Sequence, residues 1–329
     1  MIRVEQSGLY TTVQDQGRSG YYGLGFPPSG SMDRFSSDVA NILVGNAPTA
    51  AVLETTFVGP SLQFEVPMVI AITGADAAVE IDGSPAPLWA AIEVRQGSTL
   101  RFTSLGAGAR NYIAFRGGID CTPIMGSRST YVASHLGGLA GGTLQAGDEV
   151  PVGDTSLCRQ ISIGQEVPSS LRPLLPGEQE IRIVEGLCHH LLTEESKSDL
   201  SNEVFSISTE ANRIGYRLSG KSLTFIEREQ PFGAGSDPSN VVNLGYPVGS
   251  LQSPSGAELI CLMRDAVTGG GYATLATVIA ADLDLLAQMK FPETVRFVPV
   301  SLEQALEARS NRRHRLVKIQ ELTTNKSGL

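Results

Sequence analysis

Five-residue apolar runs punctuated by glycine turns constrain this chain more than any other feature. Leu62-Gln-Phe-Glu-Val66 alternates with period two, and Met68-Val-Ile-Ala-Ile72 is a continuous apolar run of the kind buried on both faces. Ala77-Ala-Val-Glu-Ile81 runs into Asp82-Gly83, a two-residue hairpin signal. Thr99-Leu-Arg-Phe-Thr103 and Asn111-Tyr-Ile-Ala-Phe115 follow, separated by Gly106-Ala-Gly108. Short strands at this spacing predict sandwiches or barrels, not a doubly wound parallel sheet.

Helical periods are few. Phe35, Val39, Ile42 and Leu43 share one face of a helix over 33–44, with Asp33 as N-cap and Gly45 as stop. Further helices are expected over 187–200 and 281–290. The capping box Ser301-Leu-Glu-Gln304 starts a last one through about Arg309. Prolines and a weak apolar period over 151–180 mark a boundary, and Ile181-Arg-Ile-Val184 opens a second strand-rich part. The expected organisation is a β-rich domain over 1–165, a second over 178–310, and a basic tail over 311–329.

At 329 residues the chain has room for about two domains. A net charge of −9, without a basic stripe in the body, argues against nucleic acid. The basic run Arg309-Ser-Asn-Arg-Arg-His-Arg315 reads as the C-terminal turn of a helix, where cations complement the macrodipole. No run of 18 apolar residues exists, so no membrane span is expected, and no secretory leader is read at the start. Four scattered cysteines, Cys121, Cys158, Cys188 and Cys261, fit free thiols in the cytoplasm. No metal site is expected, because the adjacent His189 and His190 rarely point at one ion. Trp89 reads as a packing residue.

Four polar, glycine-bearing segments stand out. The first is the long loop Gln14, Asp15, Arg18 … Pro27-Pro-Ser-Gly-Ser-Met-Asp33, in which Ser29 and Asp33 are candidate ligand contacts at a helix N-terminus. Only four histidines exist and none sits in a hydrolase motif, so a Ser-His-Asp triad is not expected. The second is Gly117-Gly-Ile-Asp120 … Gly126-Ser-Arg-Ser-Thr130, one guanidinium among hydroxyls, suited to a carboxylate or phosphate, or else an ordered turn with a surface arginine. The third is Asn212-Arg-Ile-Gly-Tyr-Arg-Leu218. Read as a strand, it puts Arg213 and Arg217 on one face. The fourth is Asp265-Ala-Val-Thr268-Gly-Gly270-Gly271-Tyr272, which is neither a Walker loop nor a dinucleotide fingerprint. The four segments are expected to converge on an anion-binding cleft.

In order and spacing these motifs, with Gly8-Leu-Tyr-Thr-Thr-Val-Gln-Asp15, Leu43-Val-Gly-Asn46, Leu53-Glu54 and Thr73-Gly-Ala-Asp76, resemble a family of biotin-dependent carboxyltransferase-type proteins. It includes the C subunit of bacterial 5-oxoprolinase (formerly allophanate hydrolase subunit 2) and the carboxyltransferase region of urea carboxylase. The resemblance runs from about residue 2 to residue 309. It implies a mainly β (α+β) fold of two cyclophilin-like β-barrel units with a few short helices. It implies partners, a B subunit and an A subunit, and ATP-coupled opening of a cyclic amide in the complex. Biotin would belong to a partner chain only. The Met289-Lys290 pair, which echoes a biotin acceptor, reads as an ordinary helix end.

On this resemblance Asp265, Glu54 and Thr268 are the catalytic candidates. Arg18, Ser29, Asp33, Arg110, Arg128, Asn212, Arg213, Arg217, Gln252, Gly270, Gly271 and Tyr272 are the substrate-binding candidates. The fourth segment departs from the family pattern. Val267, Gly269, Ala273 and Thr274 replace the usual glutamine, second threonine, proline and basic residue. A carboxyltransferase component and a non-catalytic regulator that binds a kinase-inhibitor-like partner are the alternative readings.

Overall fold

The computed structural model describes residues 1–175 and 177–324. The chain divides into two compact units. One comprises Met1–Ser19, Ser29–Leu175 and Asn311–Leu329, the other Gly20–Pro28 and Pro176–Ser310.

Among the described residues the first unit holds eleven strands: β1 (Ile2–Gln6), β2 (Tyr10–Gln14), β3 (Val52–Thr56), β4 (Ser61–Phe64), β5 (Met68–Gly74), β6 (Ala77–Ile81), β7 (Ser84–Pro85), β8 (Ala91–Val94), β9 (Thr99–Leu105), β10 (Arg110–Phe115) and β11 (Glu149–Val150). They form two sheets, in the orders β11-β1-β4-β9-β6-β7 and β2-β3-β10-β5-β8. The expected strands are all present. The hairpin at Asp82-Gly83 has positive φ at both residues, 53° and 76°, with Ile81 opposite Ser84.

The core lies between the two sheets. Ile2, Val4, Leu62, Phe64 and Leu100 meet Leu53, Ile70, Ile72, Ile113 and Phe115 there. Helix α1 (Arg34–Leu43) covers the outer face of the five-stranded sheet, where Phe35, Val39 and Leu43 pack with Val52, Ala71, Tyr112 and Ala114. Strand β10 is therefore buried throughout: Ile113 and Phe115 enter one core, Tyr112 and Ala114 the other. Alternation by two explains the split. Each such apolar side chain contributes ~1.5–3 kcal/mol on burial.

The second unit holds β12 (Glu178–Glu185), β13 (Val204–Ile207), β14 (Gly215–Ser219), β15 (Asn240–Gly245), β16 (Ser250–Gln252), β17 (Leu259–Leu262), β18 (Gly269–Tyr272), β19 (Thr274–Val278) and β20 (Thr294–Pro299). Seven of them close into a barrel, β12-β19-β16-β17-β14-β13-β20, with β12 and β20 parallel at the closure. Strands β15 and β18 form a separate two-stranded ribbon.

Helix α2 (Glu194–Asn202) starts later than expected, because Thr193 is its N-cap. Helix α3 is only Leu283–Leu286. The largest difference is α4, which runs Leu302–Thr323 and does not stop near Arg309. Residues 309–315 are thus mid-helix and are not the cationic last turn expected above. Arg315 lies over the Phe35 ring at 3.8 Å, Arg312 lies 3.6 Å from the Asp38 carboxylate, and Ile319 is fully buried in the α1 core. The stripe Leu316-Ile319-Thr323 supplies the docking face that the basic composition concealed. The end of the expected tail, 325–329, lies outside the described residues.

Candidate functional site

The polar side chains on the outer face of the five-stranded sheet form a row across it. Thr12, Glu54, Tyr112 and Thr73 are successive register partners on β2, β3, β10 and β5. Each is 1% exposed or less. The row holds the end of the long loop by its backbone. Glu54 Oε2 accepts from Met32 N at 2.7 Å and from the Tyr112 hydroxyl at 2.9 Å. That hydroxyl accepts from Asp33 N at 2.7 Å, and Thr73 Oγ1 donates to Ser36 O at 2.7 Å. Asp33 caps α1, accepting from Ser36 N and Ser36 Oγ. Burial, then the negative charges of Glu54 and Asp33, push the Tyr112 phenol well above its ordinary pKa and keep it a neutral donor. Arg110 opens β10 opposite Thr56, is 2% exposed, and its charge acts on Tyr112 in the opposite sense.

A second knot ties the first two segments together. Asp15 Oδ1 accepts from Gly17 N, Ser127 Oγ and Ser129 Oγ at 2.5–2.7 Å, and Oδ2 accepts from Arg128 N at 2.6 Å. Gln14 donates to Thr130 O and accepts from Gly30 N. Arg18, 4% exposed, donates to Ser129 O. The hydroxyls of Ser127 and Ser129 are therefore committed to a carboxylate of the protein itself. The Arg128 guanidinium reaches Asp120 at 2.9 Å and Cys121 O at 2.8 Å. Gly137 is indispensable here, because a Cβ would fall 2.1 Å from Ser129 O. Ser29 is fully buried with φ 52°, a strained backbone.

In the second unit the third and fourth segments meet. Arg213 and Asp265, each 5% exposed, form a two-pronged ion pair at 2.7 and 3.1 Å. Asp265 N also donates to Arg213 O, and Met263 N to Ile214 O. Arg213 precedes β14, so the expected shared strand face with Arg217 is not formed. Arg217 is half-buried between Glu210 and Glu258. The Asn212 side-chain carbonyl accepts from Ile214 N and Gly215 N, which shapes the turn before the strand. Gly269, Gly270, Gly271 and Tyr272 form β18 of the ribbon, with Thr268 just before it. Thr268 O accepts from Tyr246 N, and Tyr272 N donates to the Tyr246 hydroxyl at 2.6 Å. Gln252 on β16 is 3% exposed.

The first two segments are thus joined in one unit and the last two in the other. Three of the five arginines among the substrate-binding candidates, Arg128, Arg213 and Arg217, already face protein carboxylates, so a ligand would have to compete for them. Asp265 is likewise engaged. Tyr112 and Tyr246 are the central side chains that sequence reasoning passed over. Both were hidden as apolar strand or turn positions. Among the described residues no cluster of three metal-binding side chains occurs, and no helix is long and apolar enough to cross a membrane. Thiols Cys121, Cys158, Cys188 and Cys261 are free.

The model of the carboxyltransferase domain, subdomains A and B, matches residues 24–299. The chain is 34% identical over 312 residues to the C subunit of 5-oxoprolinase from Escherichia coli strain K12, covering 94% of this chain and 95% of that protein. It is 34% identical over 310 residues to urea amidolyase of Saccharomyces cerevisiae, covering 92% of this chain but only 17% of that protein. The crystal structure of Kluyveromyces lactis urea carboxylase superposes with a TM-score of 0.91 at 30% identity, over 99% of this chain and 30% of that one. The long loop, the β10 row and the glycine ribbon are therefore parts of a shared scaffold, and the chain belongs to the carboxyltransferase domain family, subdomains A and B.

Proposed function

We propose that the chain is a cytoplasmic subunit of an ATP-dependent cyclic-amide hydrolase of the 5-oxoprolinase type, acting with an A and a B subunit and converting 5-oxo-L-proline to L-glutamate. The observation that carries this reading is the match along 95% and 100% of two proteins named as the C subunit of 5-oxoprolinase. The urea enzymes are matched over a small part of their length.

In the proposed reaction the lactam carbonyl oxygen attacks the γ-phosphorus of ATP and ADP leaves. Water adds to the activated carbon, the C–N bond breaks and the nitrogen takes a proton, leaving an acyl phosphate; a second water then hydrolyses that acyl phosphate to the carboxylate and inorganic phosphate. Buried guanidinium groups lower the energy of the charge that develops. In this chain the buried Arg213 is the one assigned to that role. Asp265 serves by fixing Arg213 and the approach to the ribbon, and Glu54 by fixing the loop at Met32.

The test is reconstitution of the chain with 5-oxoprolinase-type A and B subunits, followed by ADP release with 5-oxoproline. Release that requires all three chains supports the reading; release unchanged when this chain is left out overturns it. The second reading, a biotin-dependent carboxyltransferase component, is favoured by the 0.91 TM-score to urea carboxylase. It predicts a biotinylated partner detectable by avidin blotting and carboxyl transfer without lactam opening.

A further inference from the structure

Tyr246 fixes both ends of the glycine run 269–271. Its amide donates to Thr268 O at 2.9 Å, and its hydroxyl accepts from Tyr272 N at 2.6 Å. The residue is 2% exposed and packs with Leu262 and Ala266. Glycine has no side chain to hold it and loses the most freedom on ordering, so three in succession depend on an anchor outside themselves. The anchor sits directly against the run: a Cβ at Gly270 would stand 3.1 Å from the Tyr246 hydroxyl.

Tyr246 is in turn held from one further point. Residues 20–28, the middle of the long loop, belong to the second unit. The Tyr22 hydroxyl there donates to Tyr246 O. Among the described residues this is the one hydrogen bond between 20–28 and the rest of that unit. The remainder of the segment is bonded to itself: Leu24 N and Phe26 N donate to Tyr21 O, and Gly25 N donates to Tyr22 O. The result is a tight turn over Tyr22–Leu24, closed by Gly25 with φ 87°, that presents the phenol. Burial raises the Tyr22 pKa above its ordinary value, so the group is a protonated donor at neutral pH. Leu24, on the same turn, is 73% exposed.

We propose that Tyr22 is a positioning residue, which clasps Tyr246 and through it holds Thr268 and Tyr272 in place at the two ends of the glycine run. The action is indirect. With its carbonyl held, Tyr246 keeps its N–H and its hydroxyl aimed at Thr268 and Tyr272. Without the Tyr22 hydroxyl the Tyr246 carbonyl loses its partner, and the residue is free to turn about its own backbone. Small misplacements of groups that support a reacting centre lower the rate of the chemical step. The clasp gives the long loop a purpose: the chain reaches Tyr246 and returns. It deepens the function proposed above and rests on it for the reaction that Thr268 and Tyr272 serve.

The test uses the full chain with Tyr22→Phe, which keeps the ring and removes the hydroxyl, and with Leu24→Ala as a control on the same turn. Hydrogen exchange is read at the amides of Tyr246 and Tyr272. ADP release with 5-oxoproline is measured in the complex with A and B subunits. Tyr22→Phe is expected to speed exchange at both amides at least about fivefold, the factor that loss of one hydrogen bond gives. It is expected to lower kcat at least about fivefold while KM for 5-oxoproline changes less than about twofold. Leu24→Ala is expected to change none of these. Unchanged exchange at either amide overturns the clasp, as do equal effects of Leu24→Ala. Faster exchange with unchanged kcat shows a bond that is structural only and overturns the positioning role. A larger rise in KM also overturns it, because it puts Tyr22 on the substrate. If the complex with the unsubstituted chain releases no ADP, the proposed reaction is removed, and the exchange result alone decides whether Tyr22 holds the glycine run.

Discussion

The Tyr112 hydroxyl donates to the Glu54 carboxylate at 2.9 Å and accepts from the Asp33 amide at 2.7 Å, so a single phenol joins two strands of the sheet to the start of α1. Removing that hydroxyl with Tyr112→Phe leaves a buried amide and part of a carboxylate unmet. The expected cost is ~1–3 kcal/mol of unfolding free energy, read from denaturant titration. The pH dependence follows from the same burial. The folded-state pKa of Tyr112 is raised, so its contribution is complete below the unfolded value of about 10 and falls away as pH rises above it. The Tyr112→Phe protein is expected to lose less stability than the unsubstituted chain between about pH 10 and 11.5.

Asp15 gathers Gly17, Ser127, Arg128 and Ser129 around one carboxylate. Asp15→Ala is expected to release the 126–130 turn from the long loop at a cost of at least about 2 kcal/mol, since the hydrogen bonds lost are charge-assisted. Hydrogen exchange reads this directly: the amides of Gly17 and Arg128 lose protection together. Retained protection at both contradicts the knot.

The buried Arg213–Asp265 pair predicts an asymmetric mutational pattern. Asp265→Asn or Arg213→Met alone strands a charge in a site 5% exposed and is expected to cost ~3–5 kcal/mol. Replacing both by apolar residues recovers much of that loss, as a double-mutant cycle would show. If Asp265→Asn keeps full stability and full ATP-coupled turnover in the complex, Asp265 has neither the positioning nor the catalytic role.

Helix α4 contributes through its second half. Ile319→Ala is expected to destabilise the first unit by ~2–5 kcal/mol, because Ile319 is fully buried against the α1 core. Arg315→Ala removes a cation over the Phe35 ring and is expected to cost ~0.5–2 kcal/mol, measured by thermal unfolding.

The strands were legible because their signals are local: alternation at 62–66, the apolar run at 68–72 and the Asp82-Gly83 turn each act within a few residues. The α1 N-cap at Asp33 was legible for the same reason. The serine partners of Asp15 lie more than 110 residues away, and no local pattern marks them. Glu54 and Asp265 were chosen as chemical groups, but the sequence could not say that Tyr112 and Arg213 already engage them. The extent of α4 was missed because charge along 309–315 masked an apolar stripe beginning only at Leu316.

The most direct measurement is the stoichiometry of ADP and L-glutamate formed from 5-oxoproline and ATP by the chain together with A and B subunits. The account predicts equal amounts of the two products, and none when this chain is omitted. Glutamate formation that proceeds without the chain contradicts it, as does a complex that instead transfers a carboxyl group from a biotinylated partner and leaves the lactam intact.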